Sequence, residues 1–246
     1  MEAVVANIVL VHGAWSDGSL WQEVIAVLDG QGHRVRAVQL PLTSLSDDVA
    51  WTRREISSFD GPVTLVGHSY GGMVISGAAE HNEQVDSLVF VAAYAPEEGE
   101  TVASLSGRGA KMLGGEAIRF AEDGWSIIDP AEFADVLAAD LPAVTGRALA
   151  AIQKPTHGAC FSQPAGPGGW RDLPCTYLLS LEDRIFDPEL QRWFAERTNA
   201  TLTELHSSHL SPLTHPEDVA AAIGKTLDAE RLSLSADARQ GVKTSR

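Results

Sequence analysis

Residues 67–71 read Gly-His-Ser-Tyr-Gly, a serine with a glycine two positions away on each side. A serine exposed at a sharp strand-to-helix turn needs this pattern, because its backbone is strained and a Cβ at either flank would strike the neighbouring strand or helix. With 22 glycines in the chain the bare pattern can arise by chance, so its context carries the argument. The apolar run VTLVG precedes it directly and the helical segment MVISGAAE follows, which is the order such a turn requires. The start of the helix also aims backbone N–H groups and a partial positive charge at any oxyanion formed there.

A serine hydroxyl is inert at neutral pH without a base, so nucleophilic chemistry at Ser69 calls for a histidine and an acid to orient it. Of eight histidines, His209 in HSSHLSPL follows the last strand pattern and precedes the last helix pattern. That position lies on the edge where the ends of parallel strands converge. Its rival His206 falls inside the strand pattern, and His215 before Pro216 reads as a helix cap. For the acid, SLEDRIFDP offers three carboxylates. Asp187 precedes Pro188 and a helical segment and reads as an N-cap. Asp183 is the assignment, with Glu182 the alternative at the same strand exit. Two N–H donors must face the tetrahedral oxyanion, and losing one costs about 3–4 kcal/mol. Tyr70 N–H is one, and Ala14 in the turn VHGAW is the other, with His12 as a structural turn residue.

These residues need a scaffold, and the apolar pattern supplies it. Short β-rich runs at 7–11, 34–38, 63–67, 87–92, 175–180 and 201–206 alternate with helical segments at 20–32, 47–59 and 215–232. Such alternation predicts βαβ units and a mostly parallel sheet covered on both faces. An aspartate suited to capping opens the segment from 47. Between Pro96 and Leu173 the alternation fails in Gly-rich and Ala-rich sequence, with a helix expected over 132–141. The expected organisation is a core of 1–96 and 171–232, an inserted, mainly helical lid of 97–170 with GPGGW at its return, and a flexible tail of 233–246.

The 246 residues suffice for one large α/β domain. A formal net charge of −15 opposes the phosphate-tracking surface of a nucleic-acid binder and a polybasic membrane contact. Cys160 and Cys175 are too few for a disulfide framework or a cysteine metal site. The N-terminal stretch lacks a basic region before its apolar run, and no run reaches about 18 apolar residues, so the expected location is the cytoplasm.

With these residues in place, the chain resembles the α/β-hydrolases, whose order of nucleophile, acid and base is that of Ser69, Asp183 and His209. The similarity spans residues 7 to about 230. It is strongest to the group of plant methyl-ester esterases (the salicylate-binding and polyneuridine aldehyde esterase type) and hydroxynitrile lyases. VHGAW, VGHSYGGM, EDRIFDPELQRW and SSHLSPL carry it. Lyases of this type have threonine where Gly13 stands and lysine where Leu210 stands. Without that ammonium a cyanide leaving group lacks its charge partner, so the resemblance implies an esterase.

The expected activity is hydrolysis of a small carboxylic ester through an acyl-enzyme on Ser69, with no metal or organic cofactor. Lid residues Trp125, Phe133, Leu137 and Phe161, with Trp15 and Leu210, are the expected substrate wall, although packing of the lid onto the core explains the four lid residues equally well. The expected partner is a small-molecule ester, with neither nucleic acid nor membrane, for a monomer or homodimer. Lyase, lactonase or perhydrolase chemistry on the same triad, and a ligand receptor with a vestigial triad, are the other classes open to this sequence.

Overall fold

Apolar residues alternate between the two faces of each central strand, so the sheet must be covered on both sides. In the computed structural model, which describes residues 5–227, six strands form that sheet. They are β1 (Asn7–Val11), β2 (Arg34–Ala37), β3 (Val63–His68) and β4 (Val85–Val91), followed after a long insertion by two more. The insertion carries its own β5 (Ile118–Phe120), β6 (Trp125–Ile128) and β7 (Thr156–His157), and the chain then returns as β8 (Cys175–Ser180) and β9 (Thr201–Leu205). The large sheet has the order β2-β1-β3-β4-β8-β9, and every neighbouring pair is parallel.

Ile8, Leu10, Val89, Val91 and Leu178 face one apolar cluster, while Val9, Val11, Leu88, Phe90 and Tyr177 face the other. Helix α1 (Gln22–Gly30) and the final helix, described over 216–227, bury Val24, Leu28, Val219 and Ile223 on the first face. Helices α2 (Leu45–Ile56) and α3 (Gly71–Ala79) cover the second. The predicted tail of 233–246 lies outside the described residues, as do 228–232.

Two local expectations need correction. Helix α2 begins at Leu45, capped by Ser44, whose hydroxyl accepts the Asp47 N–H at 3.2 Å. Asp47 therefore falls in the first turn, and Asp48 is buried inside the helix. The expected helix over 132–141 is shorter, because Ala138 departs from helical geometry after Phe133–Leu137 and Pro142 opens the next helix.

Between β4 and β8 most of the regular structure is helical: α4 (Val102–Ser106), α5 (Leu113–Glu116), α6 (Phe133–Leu137), α7 (Ala143–Ile152) and α8 (Ala159–Ser162). The sequence reading missed the small antiparallel sheet β5-β6-β7 and helix α7 there. Strands of two to four residues carry too little alternation to be read. After β8 comes α9 (Pro188–Arg197), and after β9 the single turn α10 (Ser211–Thr214). No described helix is long and apolar enough to cross a membrane.

Strand order reverses direction at β1, which has β2 on one side and β3 on the other. Loops leaving β1 and β3 diverge there and leave a crevice at the strands' C-terminal ends.

Candidate active site

Ser69 stands at that crevice, one residue past β3, with φ at +55°. A non-glycine residue in the left-handed region is strained and persists only where its surroundings hold it. Three hydrogen bonds do so: Ser69 N–H donates to Val91 O at 3.1 Å, and Gly72 and Tyr94 N–H groups donate to Ser69 O at 3.0 and 3.2 Å. The flanking glycines are steric necessities. A Cβ on Gly67 would lie 2.7 Å from Gly71 O, and one on Gly71 would lie 2.6 Å from Val11 O.

The neighbouring turn after β1 is fixed by His12. Its ring is fully buried, with Nδ1 donating to Gly13 O at 2.8 Å and Nε2 accepting the Leu40 N–H at 3.1 Å. Burial pushes its pKa down to about 4, so it stays neutral in the tautomer those bonds require. His12 is thus the structural turn residue that the sequence suggested. Trp15 N–H donates to Thr156 Oγ1 at 2.9 Å, and its indole N–H donates to Ser126 Oγ at 3.1 Å.

Asp183, just beyond β8, is almost completely buried and accepts four hydrogen bonds. Oδ1 takes the N–H groups of Ile185 and Phe186 at 3.0 and 2.9 Å. Oδ2 takes the Gln191 amide at 3.0 Å and His209 Nδ1–H at 2.6 Å. Gln191 reaches it from α9, with its own oxygen accepting the Ser180 N–H at 3.0 Å. His209 follows β9, and His68 pins its loop by donating from Nε2 to His209 O at 2.9 Å, with the two rings 4.6 Å apart. Burial, and then the neighbouring His209, push the His68 pKa well below the usual value.

The alternatives at each position are elsewhere. Glu182 and His206 face each other at 3.5 Å on the exposed surface. Asp187 caps α9 by accepting the Glu189 N–H at 3.1 Å.

Ser69 and His209 open onto one cavity of about 420 Å³, which Ala14 and Tyr70 also line. Its wall is mostly apolar. Of the expected wall residues, Trp15 and Phe161 line it, with their rings 5.4 Å apart. Trp125 does not line it: paired across strands with His157, it packs edge-on to that ring at 5.3 Å. Phe133, Leu137 and Leu210 are buried in the core and line instead a separate cavity of about 50 Å³, which also touches Ala14, Trp15 and His209. The sequence reading missed Tyr94, Ile118, Phe120, Ile185, Phe186 and Leu190, which line the main cavity. Ile185 and Phe186 had a usable signal, since two apolar residues two and three positions after an acid at a strand exit stay close to it. No group of three or more His, Cys, Asp or Glu among the described residues is arranged to hold a metal ion.

Comparison with known proteins agrees with this fold. A family model described as "Alpha/beta hydrolase family" matches residues 8–222. The carbendazim hydrolyzing esterase of Nocardioides sp. is 37% identical over a stretch covering 41% of this chain and 47% of that protein, so the match spans about half of that relative's length. Polyneuridine aldehyde esterase of Rauvolfia serpentina is 24% identical over 87% of this chain and 92% of its own. Among solved structures, a pyrethroid hydrolase from Sphingobium faniae JZ-2 superposes with a TM-score of 0.79 at 22% identity, covering 92% of this chain and 98% of the other.

Proposed function

Since the chain belongs to the alpha/beta hydrolase family, we propose that it is a serine esterase in which Ser69, His209 and Asp183 form the catalytic triad. The observation that carries this reading is the buried Asp183–His209 pair at 2.6 Å, opening onto the same cavity as a serine held in a left-handed backbone. Ser69 Oγ attacks the ester carbonyl while His209 Nε2 takes its proton. Asp183 keeps the Nδ1–H tautomer and stabilises the imidazolium. The Ser69–His209 hydrogen bond closes as substrate binds, as such contacts commonly tighten in the Michaelis complex. Tyr70 N–H at the head of α3 and Ala14 N–H bind the oxyanion. Ala14 is favoured over Trp15 because the Trp15 N–H is already committed to Thr156. His209 then protonates the departing alcohol and activates the water that releases the acid. Every step uses protein groups and water alone.

The substrate is a small-molecule ester with an apolar body, which suits a mostly apolar cavity of about 420 Å³. Relatives named as esterases of carbendazim and of polyneuridine aldehyde support ester-type chemistry. Leu210, buried and apolar directly after the base, favours hydrolysis over lyase chemistry, since it offers no ammonium to a cyanide leaving group.

The test is hydrolysis of p-nitrophenyl esters from C2 to C8 by the wild type and Ser69→Ala. Activity confined to the wild type supports the nucleophile. Equal activity in both sinks it.

A further inference from the structure

Asp48 is a fully buried carboxylate for which ester hydrolysis has no direct use. Its contacts reach three separate parts of the molecule. Oδ1 accepts the Leu42 N–H at 2.8 Å, holding a residue whose φ is +60°. Leu42 O in turn accepts the His157 N–H at 2.9 Å from β7. Oδ2 accepts the Tyr70 hydroxyl at 2.7 Å, and the Cys160 thiol points to that same oxygen at 3.7 Å. Burial raises the Asp48 pKa, opposed by these donors and by the charge of Lys154.

Both partners of Oδ2 bear on the cavity. Tyr70 immediately follows the nucleophile and carries the N–H assigned to the oxyanion. Cys160 immediately precedes Phe161, whose ring lies 6.3 Å from that of Tyr70 and 5.4 Å from that of Trp15. One buried oxygen thus fastens the turn after β3 to the short helix α8 that supplies the aromatic wall. A carboxylate serving only to fill space is an expensive choice, because a buried charge is commonly replaced by apolar residues at no loss of stability.

We propose that Asp48 is a positioning residue that sets the Tyr70 N–H and the Phe161 ring in register, coupling the oxyanion site to the acyl-side wall. The proposal rests on the serine esterase reading above. It gives the two arms of the carboxylate separable effects. Freeing Tyr70 tilts the oxyanion donor and slows turnover of every ester, however small. Freeing Cys160 lets Phe161 drift and weakens binding of those esters long enough to touch it.

The experiment measures kcat and KM separately for p-nitrophenyl acetate and p-nitrophenyl octanoate in the full chain. Phosphonylation of Ser69 by a small p-nitrophenyl phosphonate is followed in parallel. Tyr70→Phe is expected to lower kcat on the acetate at least tenfold, with KM changed less than twofold, and to slow phosphonylation similarly. Cys160→Ala is expected to raise KM for the octanoate several-fold more than for the acetate. Asp48→Leu is expected to show both effects, and adding Tyr70→Phe to it costs little more, because coupled residues are not additive. Asp48→Asn keeps the acceptor for Leu42 and a hydrogen-bonding group for Tyr70, and is expected to recover kcat to within about threefold of wild type.

Should Asp48→Leu fail to fold, Tyr70→Phe and Cys160→Ala still decide, since each removes one polar partner of Asp48 and leaves the carboxylate and its bond to Leu42 in place. The proposal is overturned when Ser69 reacts normally but both of these variants match the wild type in kcat and KM. It is equally overturned when losses in kcat and KM simply follow a falling Tm in the same proportion for both esters. Failure of the esterase reading is distinct: the wild type itself would not be phosphonylated at Ser69.

Discussion

The sheet edge and the segment inserted between β4 and β8 meet at one cavity and are built on opposite terms. At the sheet edge the polar atoms around Ser69 O and the Asp183 carboxylate are over-determined. The Asp183 carboxylate accepts four hydrogen bonds, the Ser69 carbonyl accepts two, and neither Gly67 nor Gly71 has room for a Cβ. The inserted segment meets the cavity mainly with apolar side chains, among them Phe120, which is 59% exposed. Its polar contacts with the core are many, such as Thr156 to Trp15, Asp187 to the Ala110 N–H at 2.6 Å and Asp140 to the Ser208 N–H at 2.9 Å, but they anchor the segment and do not set its apolar cavity face. Hydrogen bonds are directional and dispersion contacts are not, so the edge holds atoms to fractions of an ångström while the wall tolerates exchange. On the proposed esterase reading, chemistry belongs to the edge and selectivity in large part to the insertion.

Substitutions at the edge break that division most severely. Ser69→Ala is expected to lower kcat on the order of 10⁵-fold while leaving the Tm within a few degrees. Retained turnover would remove the edge from the chemistry altogether. Asp183→Asn is expected to cost on the order of 10⁴-fold, because an amide at Oδ2 no longer accepts the His209 Nδ1–H and the wrong tautomer is favoured. Glu182→Gln, one residue earlier but paired with His206 on the surface, is expected to change kcat less than twofold. Equal losses in the two variants would mean that hydrogen-bond geometry does not select the acid.

The edge also carries a pH liability. Folded His12 titrates near 4 against 6.5 for an ordinary histidine, so between those values the unfolded chain binds a proton that the folded chain refuses. Its contribution is fully present above pH 6.5 and falls progressively towards pH 4, by on the order of 3 kcal/mol. His68 shifts in the same direction, whereas carboxylates held low, such as Glu100 beside Arg197, lose their contribution only as pH falls below the usual carboxylate range. Urea unfolding at pH 7.5 and pH 4.5 measures this, and His12→Gln is expected to flatten the dependence. A wild-type curve level across that range would show that the turn accepts a charged imidazole.

The same contrast governs what can be read from the chain. The four central strands, buried on both faces, leave near-continuous apolar runs and the edge strands β2 and β9 alternate, so all six strands of the large sheet are legible, as is the meeting of Asp183 with His209 at neighbouring strand exits. The Asp48 junction is not legible, because an acid at the start of a helix reads as a cap, and only the observed cap at Ser44 turns Asp48 inward. Nor does the sequence reveal β5, β6 and β7, whose pairing is decided by contacts with one another rather than by periodicity. In such a segment an aromatic residue announces an apolar contact without announcing where it points.

Trp125 and Phe161 make that last point testable, since both are large aromatics of the inserted segment and only Phe161 lines the main cavity. Phe161→Ala removes a ring packed against Trp15 and Tyr70 and enlarges the wall. It is expected to move the preferred acyl length downward, since esters long enough to touch Phe161 lose that contact, and to change kcat/KM several-fold, mostly through KM, because uniform binding is lost rather than a contact made only in the transition state. Trp125→Ala removes a ring packed on His157 and is expected to lower the Tm by a few degrees while the chain-length profile keeps its shape. The C2 to C8 ester series measured on both variants decides the matter. A profile shifted by Trp125→Ala and untouched by Phe161→Ala would mean that the wall forms only after the insertion rearranges around substrate, and the tolerance ascribed to it would then be mobility rather than loose packing.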